Sequence, residues 1–243
     1  MISKPVCTFK MHTEGRPYEA NLDALTALVE ECEAGTIAVA PEVCLTNFDY
    51  DRFDEAADFA EVADARLKKA TQGKTLVVTM IARRSDGGIY NLARVYHDGR
   101  LIHEQAKAKL FRFGGEHEWF AEGDEREIAL FEIDGIRMGI LICFELRFTD
   151  LWQRLRGAEI IAVPAQWGRL RAAHFDTLGR ALALANECYV LQSDTFNEQM
   201  CGLSGIVTPQ GECVRNGNLR ALPGTFEARE VAKMRRYLDL GIA

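Results

Sequence analysis

The stretch Gly139-Ile-Leu-Ile-Cys-Phe-Glu-Leu-Arg-Phe148 sets the reading of the whole chain. Four apolar residues lead straight into a cysteine, and a mixed segment from Glu145 to Leu155 follows at helical spacing. This predicts a buried strand, a sharp turn and the start of a helix, with Cys143 at the corner. A side chain at such a corner is exposed at the strand's end, and nearby backbone amides can receive a developing negative charge. A thiolate is a competent nucleophile wherever its surroundings favour the charge. A lone cysteine is more often a small buried hydrophobe, so the assignment depends on what the rest of the chain sets beside it.

Upstream, Val6-Cys-Thr-Phe reads as a first strand, and Tyr18 to Ala34 as an amphipathic helix with apolar Leu22, Leu25, Leu28 and Val29, ended by Gly35. Thr36-Ile-Ala-Val-Ala40 is a short buried strand stopped by Pro41. Asp54 to Thr71 is a second helix, and Thr75 to Ala82 a β-branched strand. Tyr90 to Tyr96 pairs with Leu101 to Ala106 across the turn signal Asp98-Gly99.

The second half repeats this grammar. Glu127 to Ile133 and Ile136 to Ile142 form a hairpin across Asp134-Gly135, and the helix Phe148 to Arg156 leads to the apolar strand Ile160 to Pro164. Ala172 to Cys188 is a long helix and Tyr189 to Ser193 a strand. Leu203 to Val207 and Glu212 to Arg215 make a further hairpin, and Phe226 to Val231 a last strand with a short helix behind it.

Strands apolar on both faces need a layer on each side, while the antiparallel hairpins exclude a purely parallel sheet. Two mixed sheets packed face to face with helices on both outer faces, an α/β four-layer αββα sandwich, meet both demands. The similar halves predict a pseudo-two-fold arrangement. With no linker or low-complexity segment, residues 1–243 are expected to form a single domain.

A formal net charge of -7 argues against non-specific nucleic-acid binding. No stretch resembles a membrane span, and Met1 to Lys10 lacks the long apolar core of a signal peptide. The seven cysteines include no Cys-x-x-Cys pair, so neither a disulfide framework nor a zinc knuckle is expected. The five histidines show no metal spacing. The expectation is a protein of a reducing, cytoplasmic compartment with no metal, no nucleic acid and no membrane among its partners.

Three apolar strands end in a reactive side chain: Glu42 follows Val39-Ala-Pro41, Lys107 follows Leu101 to Ala106, and Cys143 follows Ile140-Leu-Ile142. Rigid strand ends are where layered α/β folds gather catalytic groups. Singly, a glutamate after proline is an ordinary loop residue and Lys107-x-Lys109 an ordinary solvated edge. Together, as Pro41-Glu42, Lys107-Ala-Lys-Leu-Phe111 and Cys143-Phe-Glu-Leu-Arg-Phe148, they resemble the nitrilase superfamily of carbon–nitrogen hydrolases in order and interval. The match continues through Glu116-His-Glu-Trp-Phe-Ala-Glu-Gly123, Pro164-Ala-Gln-Trp167, Arg180-Ala-Leu-Ala183 and Gly202-Leu-Ser-Gly205, over nearly the whole chain.

The resemblance implies the same sandwich, no cofactor, and hydrolysis of a small amide by a Glu42–Lys107–Cys143 triad. Glu42 would take the thiol proton and later activate water. Lys107 would stabilise the thiolate and then the oxyanion, helped by the backbone N–H of Phe144. Cys143 would attack the amide carbon, expel ammonia or an amine, and leave a thioester for water. Glu116 matches the family's second glutamate, which positions substrate and water, with Glu118 as its competitor. Phe48, Lys109, Arg112, Gln166 and Trp167 are the substrate-binding candidates, and Arg147 is expected to brace the elbow by pairing with a buried carboxylate.

Lys109 and Arg112 could receive an acidic tail, whereas Asp49, Asp51, Asp54 and Glu55 could receive an amine. N-carbamoyl compounds and nitriles share the chemistry, but the short chain looks more like small amidases, ω-amidases included. Lys109 and Gln166 depart from the family's frequent histidine and asparagine without touching the triad. A Cys-His protease would need a histidine placed by a third group, and none here has that context. A non-catalytic binding member would not require all three reactive residues. Family members associate through helices near the nucleophile. The apolar set Phe148, Leu151, Trp152 and Leu155 therefore predicts at least a homodimer, through this helix and part of Ala172 to Cys188.

Overall fold

A computed structural model describes residues 2–242. β1 (Ser3–Met11), α1 (Tyr18–Glu31), β2 (Ile37–Val39), α2 (Phe53–Ala70) and β3 (Thr75–Arg83) give three adjacent parallel strands. β4 (Ile89–His97) and β5 (Arg100–Ala106) extend them antiparallel. The second half follows the same plan. β6 (Phe131–Ile133) lies antiparallel to β7 (Ile136–Ile140). Then α3 (Thr149–Arg154), β8 (Ile160–Ala165), α4 (Ala172–Asn186) and β9 (Tyr189–Thr195) complete a second parallel trio. β10 (Gly205–Val207) and β11 (Cys213–Arg215) continue antiparallel beyond β9. β12 (Ala221–Glu227) returns beside β1 as β6 lies beside β7, and α5 (Ala228–Leu238) follows. The repeated grammar is thus a repeated topology.

Burial explains the four layers. Val6, Val39 and Val77 of the first sheet share one core with Met138, Ile140, Ile161 and Val163 of the second. The first sheet's other face, including Ala38, Leu76 and Val78, packs on Leu22, Leu25, Ala63 and Leu67 of α1 and α2. Leu151 of α3 with Phe175 and Leu182 of α4 belongs to the core of the second sheet. Each such aliphatic side chain contributes roughly 1.5–3 kcal/mol on burial.

Several expected boundaries move. The two sheets are joined, because β1 has nine residues against three in β2 and its far end, Lys10 and Met11, pairs with Asp194 and Thr195 of β9. α1 ends at Glu31 instead of Ala34, since Cys32 turns to extended backbone at ψ 145. The helical segment after Cys143 is two pieces, a 3-10 turn over Cys143–Arg147 and the short α3, separated at Phe148 by an extended backbone. Glu127 lies in a 3-10 turn ahead of β6. The last strand is displaced towards the start of the chain and the helix begins at Ala228, with Val231 buried from a helix. Leu151, Trp152 and Leu155 are buried within this one chain, so the stripe expected to seek a partner is largely covered by its own sheet.

Candidate active site

Cys143 follows the end of β7 and takes φ +46, a left-handed conformation that a side-chain-bearing residue adopts only under constraint. Glu145 supplies that constraint. Its fully buried carboxylate accepts the Ile142 N–H at 2.7 Å and the Ala108 N–H at 2.7 Å. One side chain thereby ties the elbow to the segment just after Lys107. Burial raises the Glu145 pKa to about 7 against these backbone donors. On the other sheet, Val43 beside Glu42 is also left-handed at φ +40, and its N–H donates to Thr79 Oγ1 at 2.7 Å. Both reactive residues leave the ends of their strands at tight, braced corners.

The strand ends converge between the sheets. Lys107, wholly buried, donates to Glu42 Oε1 at 2.7 Å and to Glu116 Oε1 at 2.8 Å. Asn91 Nδ2 donates to the same Glu42 oxygen at 2.8 Å, and the Gln166 backbone N–H reaches Glu42 Oε2 at 3.1 Å. Gln166 Nε2 also donates to the Glu42 carbonyl at 3.0 Å. Glu42 and Gln166 follow the middle strands of the two trios, so the pseudo-two-fold sets them against each other. Glu116 Oε2 accepts the Phe111 N–H at 2.9 Å. Of the two competing glutamates, Glu116 is turned inward and Glu118 is exposed.

Charge in this pocket is unevenly shared. Burial alone would lower the Lys107 pKa, but Glu42 and Glu116 outweigh it and hold the ammonium charged. Burial raises Glu116, with the Glu42 charge adding to the rise and Lys107 opposing it. Cys143 is raised well above an ordinary thiol, first by burial and then by the Glu42 charge, against Lys107. Its Sγ donates to the Gln166 carbonyl at 3.8 Å, and Gln166 in turn holds Glu42 through its backbone N–H. The cysteine therefore rests as a thiol beside a carboxylate, an arrangement for proton transfer during attack.

The expected substrate contacts separate into two groups. Phe144, Gln166 and Trp167 line a cavity of about 30 Å³ with Cys143, and Phe48 lines a neighbouring groove of about 710 Å³ that shares Gln166. Lys109 is instead paired with Glu125, and Arg112 points to solvent away from both cavities. Asp49, Asp54 and Glu55 are engaged by Arg52 and Arg83. Arg147 corrects another expectation: among the described residues it has no carboxylate partner. Its guanidinium lies 4.8 Å from the centre of the Trp167 ring and 3.2 Å from His174 Nδ1, on the wall of the Cys143 cavity. Arg171 lies on the same wall, 5.5 Å from the Phe111 ring centre, likewise without an acid partner among the described residues.

Asn91 and Arg171 were not legible as site residues. One sits inside a strand and the other in a polar turn, and only the tertiary fold brings them here. Among the described residues, no three of His, Cys, Asp and Glu gather to hold a metal, and no helix is long and apolar enough to cross a membrane.

The carbon-nitrogen hydrolase family model matches residues 18–222, a span that holds every residue of this cluster. The chain belongs to the carbon-nitrogen hydrolase family. It is 30% identical to the 2-oxoglutaramate amidase of Bacillus subtilis over 84% of this chain and 82% of that protein. It is 26% identical to the omega-amidase YafV of Escherichia coli K12 over 90% of this chain and 87% of that protein. The solved structure of XC1258 from Xanthomonas campestris, a CN-hydrolase superfamily protein, superposes at TM-score 0.87 with 22% identity, covering 98% of this chain and 96% of that one. Yeast Nit3, of the nitrilase superfamily, gives TM-score 0.86 and 20% identity, covering 98% and 95%. The two curated relatives compared are themselves named as amidases.

Proposed function

We propose that this enzyme hydrolyses a small amide with an acidic tail through a thioester on Cys143, using Glu42, Lys107 and Glu116. The buried Glu42–Lys107–Glu116 cluster, whose charges act directly on the Cys143 thiol, carries the reading. In the attack, Sγ bonds to the amide carbon as Glu42 accepts the thiol proton. The carbonyl oxygen becomes an oxyanion facing the Lys107 ammonium and the Phe144 N–H. The C–N bond then breaks, the Glu42 proton leaves with ammonia, and a thioester remains. Glu42 next takes a proton from water, whose oxygen adds to the thioester carbon. The C–S bond breaks, the thiol regains its proton, and the acid departs. Glu116 orients Lys107 and the incoming water.

Arg147 and Arg171 support the acidic tail, because each is a cation beside the nucleophile without a carboxylate of its own among the described residues. Relatives named for 2-oxoglutaramate and ω-amide hydrolysis agree in chemistry. The test is ammonia release from monoamides of dicarboxylic acids beside neutral amides of equal length. Arg171→Ala should raise KM for the acid amides about tenfold to a hundredfold, the worth of one charge-assisted hydrogen bond, and leave the neutral ones unchanged. Equal use of both classes, insensitive to Arg147→Ala and Arg171→Ala, would overturn the acidic-tail reading. We place the working form as a homodimer, joined across the faces that carry α3 and α4.

A further inference from the structure

A second pair of reactive groups lies on the far side of the first sheet. Cys7 points from β1 into the core between that sheet and α1, where Cys32, at the end of α1, packs against it. Cys143 belongs to the other core, between the sheets. The Cys7 and Cys32 thiols are near enough for each to act on the other's ionisation, and Cys32 Sγ donates to the Leu28 carbonyl at 3.3 Å. Both cysteines line a cavity of about 330 Å³ whose rim includes Glu31, Thr36 and Pro223. Cys7 is buried at 3% exposure, whereas Cys32 is partly open to solvent.

The seven cysteines are not equivalent. Six are pushed up, each mainly by burial except Cys7, where the neighbouring Cys32 thiol leads. Cys32 alone is drawn down, by the neighbouring Cys7 thiol first and with the help of Lys74, against burial and the charges of Glu31 and Glu33. The Lys74 ammonium is stationed there by the Val29 and Glu30 carbonyls, each at 2.9 Å. A partly exposed sulfur whose ionisation is favoured and a second thiol on the wall of the same cavity are the two parts an oxidisable pair requires.

We propose that Cys32 and Cys7 form a peroxide-oxidisable dithiol, in which Cys32 reacts first and Cys7 closes a disulfide that staples α1 to β1. Cys32 sulfur attacks one oxygen of hydrogen peroxide and the O–O bond breaks. The sulfur, oxidised by two electrons, becomes a sulfenic acid, and the departing hydroxide leaves as water with the thiol's proton. Cys7 sulfur then attacks the sulfenic sulfur and the S–O bond breaks. The second hydroxide leaves as water with the Cys7 proton. Two thiols and one peroxide give one disulfide and two waters, and a dithiol reductant reverses the change.

The test treats the full chain with one equivalent of hydrogen peroxide, blocks remaining thiols by alkylation, and maps non-reduced peptides by mass spectrometry. The expected product has lost two hydrogens and links the Cys7 and Cys32 peptides, and the link disappears on reduction. In Cys7→Ser, oxidation should stop at Cys32 as a sulfenic acid trapped by dimedone. In Cys32→Ser, Cys7 should stay reduced. Peroxide consumed first at Cys143 or at another cysteine would overturn the proposal, as would a parent whose Cys32 is oxidised with no link to Cys7. The parent's map decides the matter even if a serine variant fails to fold. None of these readouts depends on amide hydrolysis, so failure here leaves the functional proposal standing, and the reverse also holds.

Discussion

Glu42 and Glu116 grip the same ammonium but keep different company. Glu42 is bonded to groups of both sheets, Asn91 and the Gln166 N–H, whereas Glu116 reaches Lys107 from a 3-10 turn and is fixed by a loop N–H. Their amide variants should therefore differ. Glu42→Gln cannot accept the thiol proton, and turnover should fall by about 10²–10⁴-fold or more. Glu116→Gln keeps the proton acceptor and should retain a trace of turnover, with a thioester accumulating on Cys143 that intact-protein mass spectrometry detects. Full activity in Glu116→Gln together with loss in Glu118→Gln would contradict the assignment of the second glutamate. At this scale the strand-end positions of Glu42 and Cys143 were legible because each follows an apolar run that has to be a buried strand, whereas Lys107 follows the mixed and half-exposed β5 and stood out only through its motif. Arg147 was read wrongly because sequence gives a charge but not its neighbours. Arg171 was missed because a basic turn on the surface looks the same whether or not it folds over a pocket.

The connections between elements explain two further behaviours. Glu145 holds the elbow to the segment after β5, and its folded pKa, about 7, lies above the ordinary 4.5. A carboxyl raised in this way binds its proton more tightly in the folded chain than in the unfolded one. Between pH 4.5 and about 7 the folded state carries more protons, so this group makes stability fall as pH rises through that window. Denaturant titrations of the parent and Glu145→Gln should differ in slope by up to about 1.4 kcal/mol per pH unit there, and parallel curves would refute it. Gly123 has a steric reason for its place in the motif. A Cβ there would stand 2.5 Å from the Ala106 carbonyl oxygen, and its own N–H donates to the Lys107 carbonyl at 2.9 Å. Gly123→Ala should cost about 1–3 kcal/mol of stability and lower kcat by moving Lys107, read from chemical denaturation and initial rates. Unchanged kcat at reduced stability would separate the two effects. Strand and helix identities were legible from their periodicity. The break at Phe148 was not, because residues 143–147 carry a helical pattern that the elbow converts into a tighter turn.

At the scale of the molecule, the repeated grammar gave the pseudo-two-fold and the four layers, because each half had to bury strands on both faces. The junction through β1 was hidden, since it depends on how far one strand outruns its neighbour. Assembly is the open consequence. With Leu151, Trp152 and Leu155 already covered, a subunit interface falls to the partly exposed Phe148 and to exposed positions of α4 such as Leu184. Light scattering at micromolar concentration should return at least twice the monomer mass, and Leu184→Glu should shift the protein toward monomer. A parent that is monomeric throughout would end the dimer proposal.

The central claim is that Cys143 carries the acyl group between two half-reactions. Its most direct measurement is rapid acid quenching of the enzyme with a dicarboxylic monoamide, followed by peptide mapping and parallel ammonia release. The account predicts a mass increase equal to the substrate less ammonia, located on the Cys143 peptide, and neither adduct nor ammonia from Cys143→Ala. Ammonia released at the parent's rate by a folded Cys143→Ala protein would contradict it.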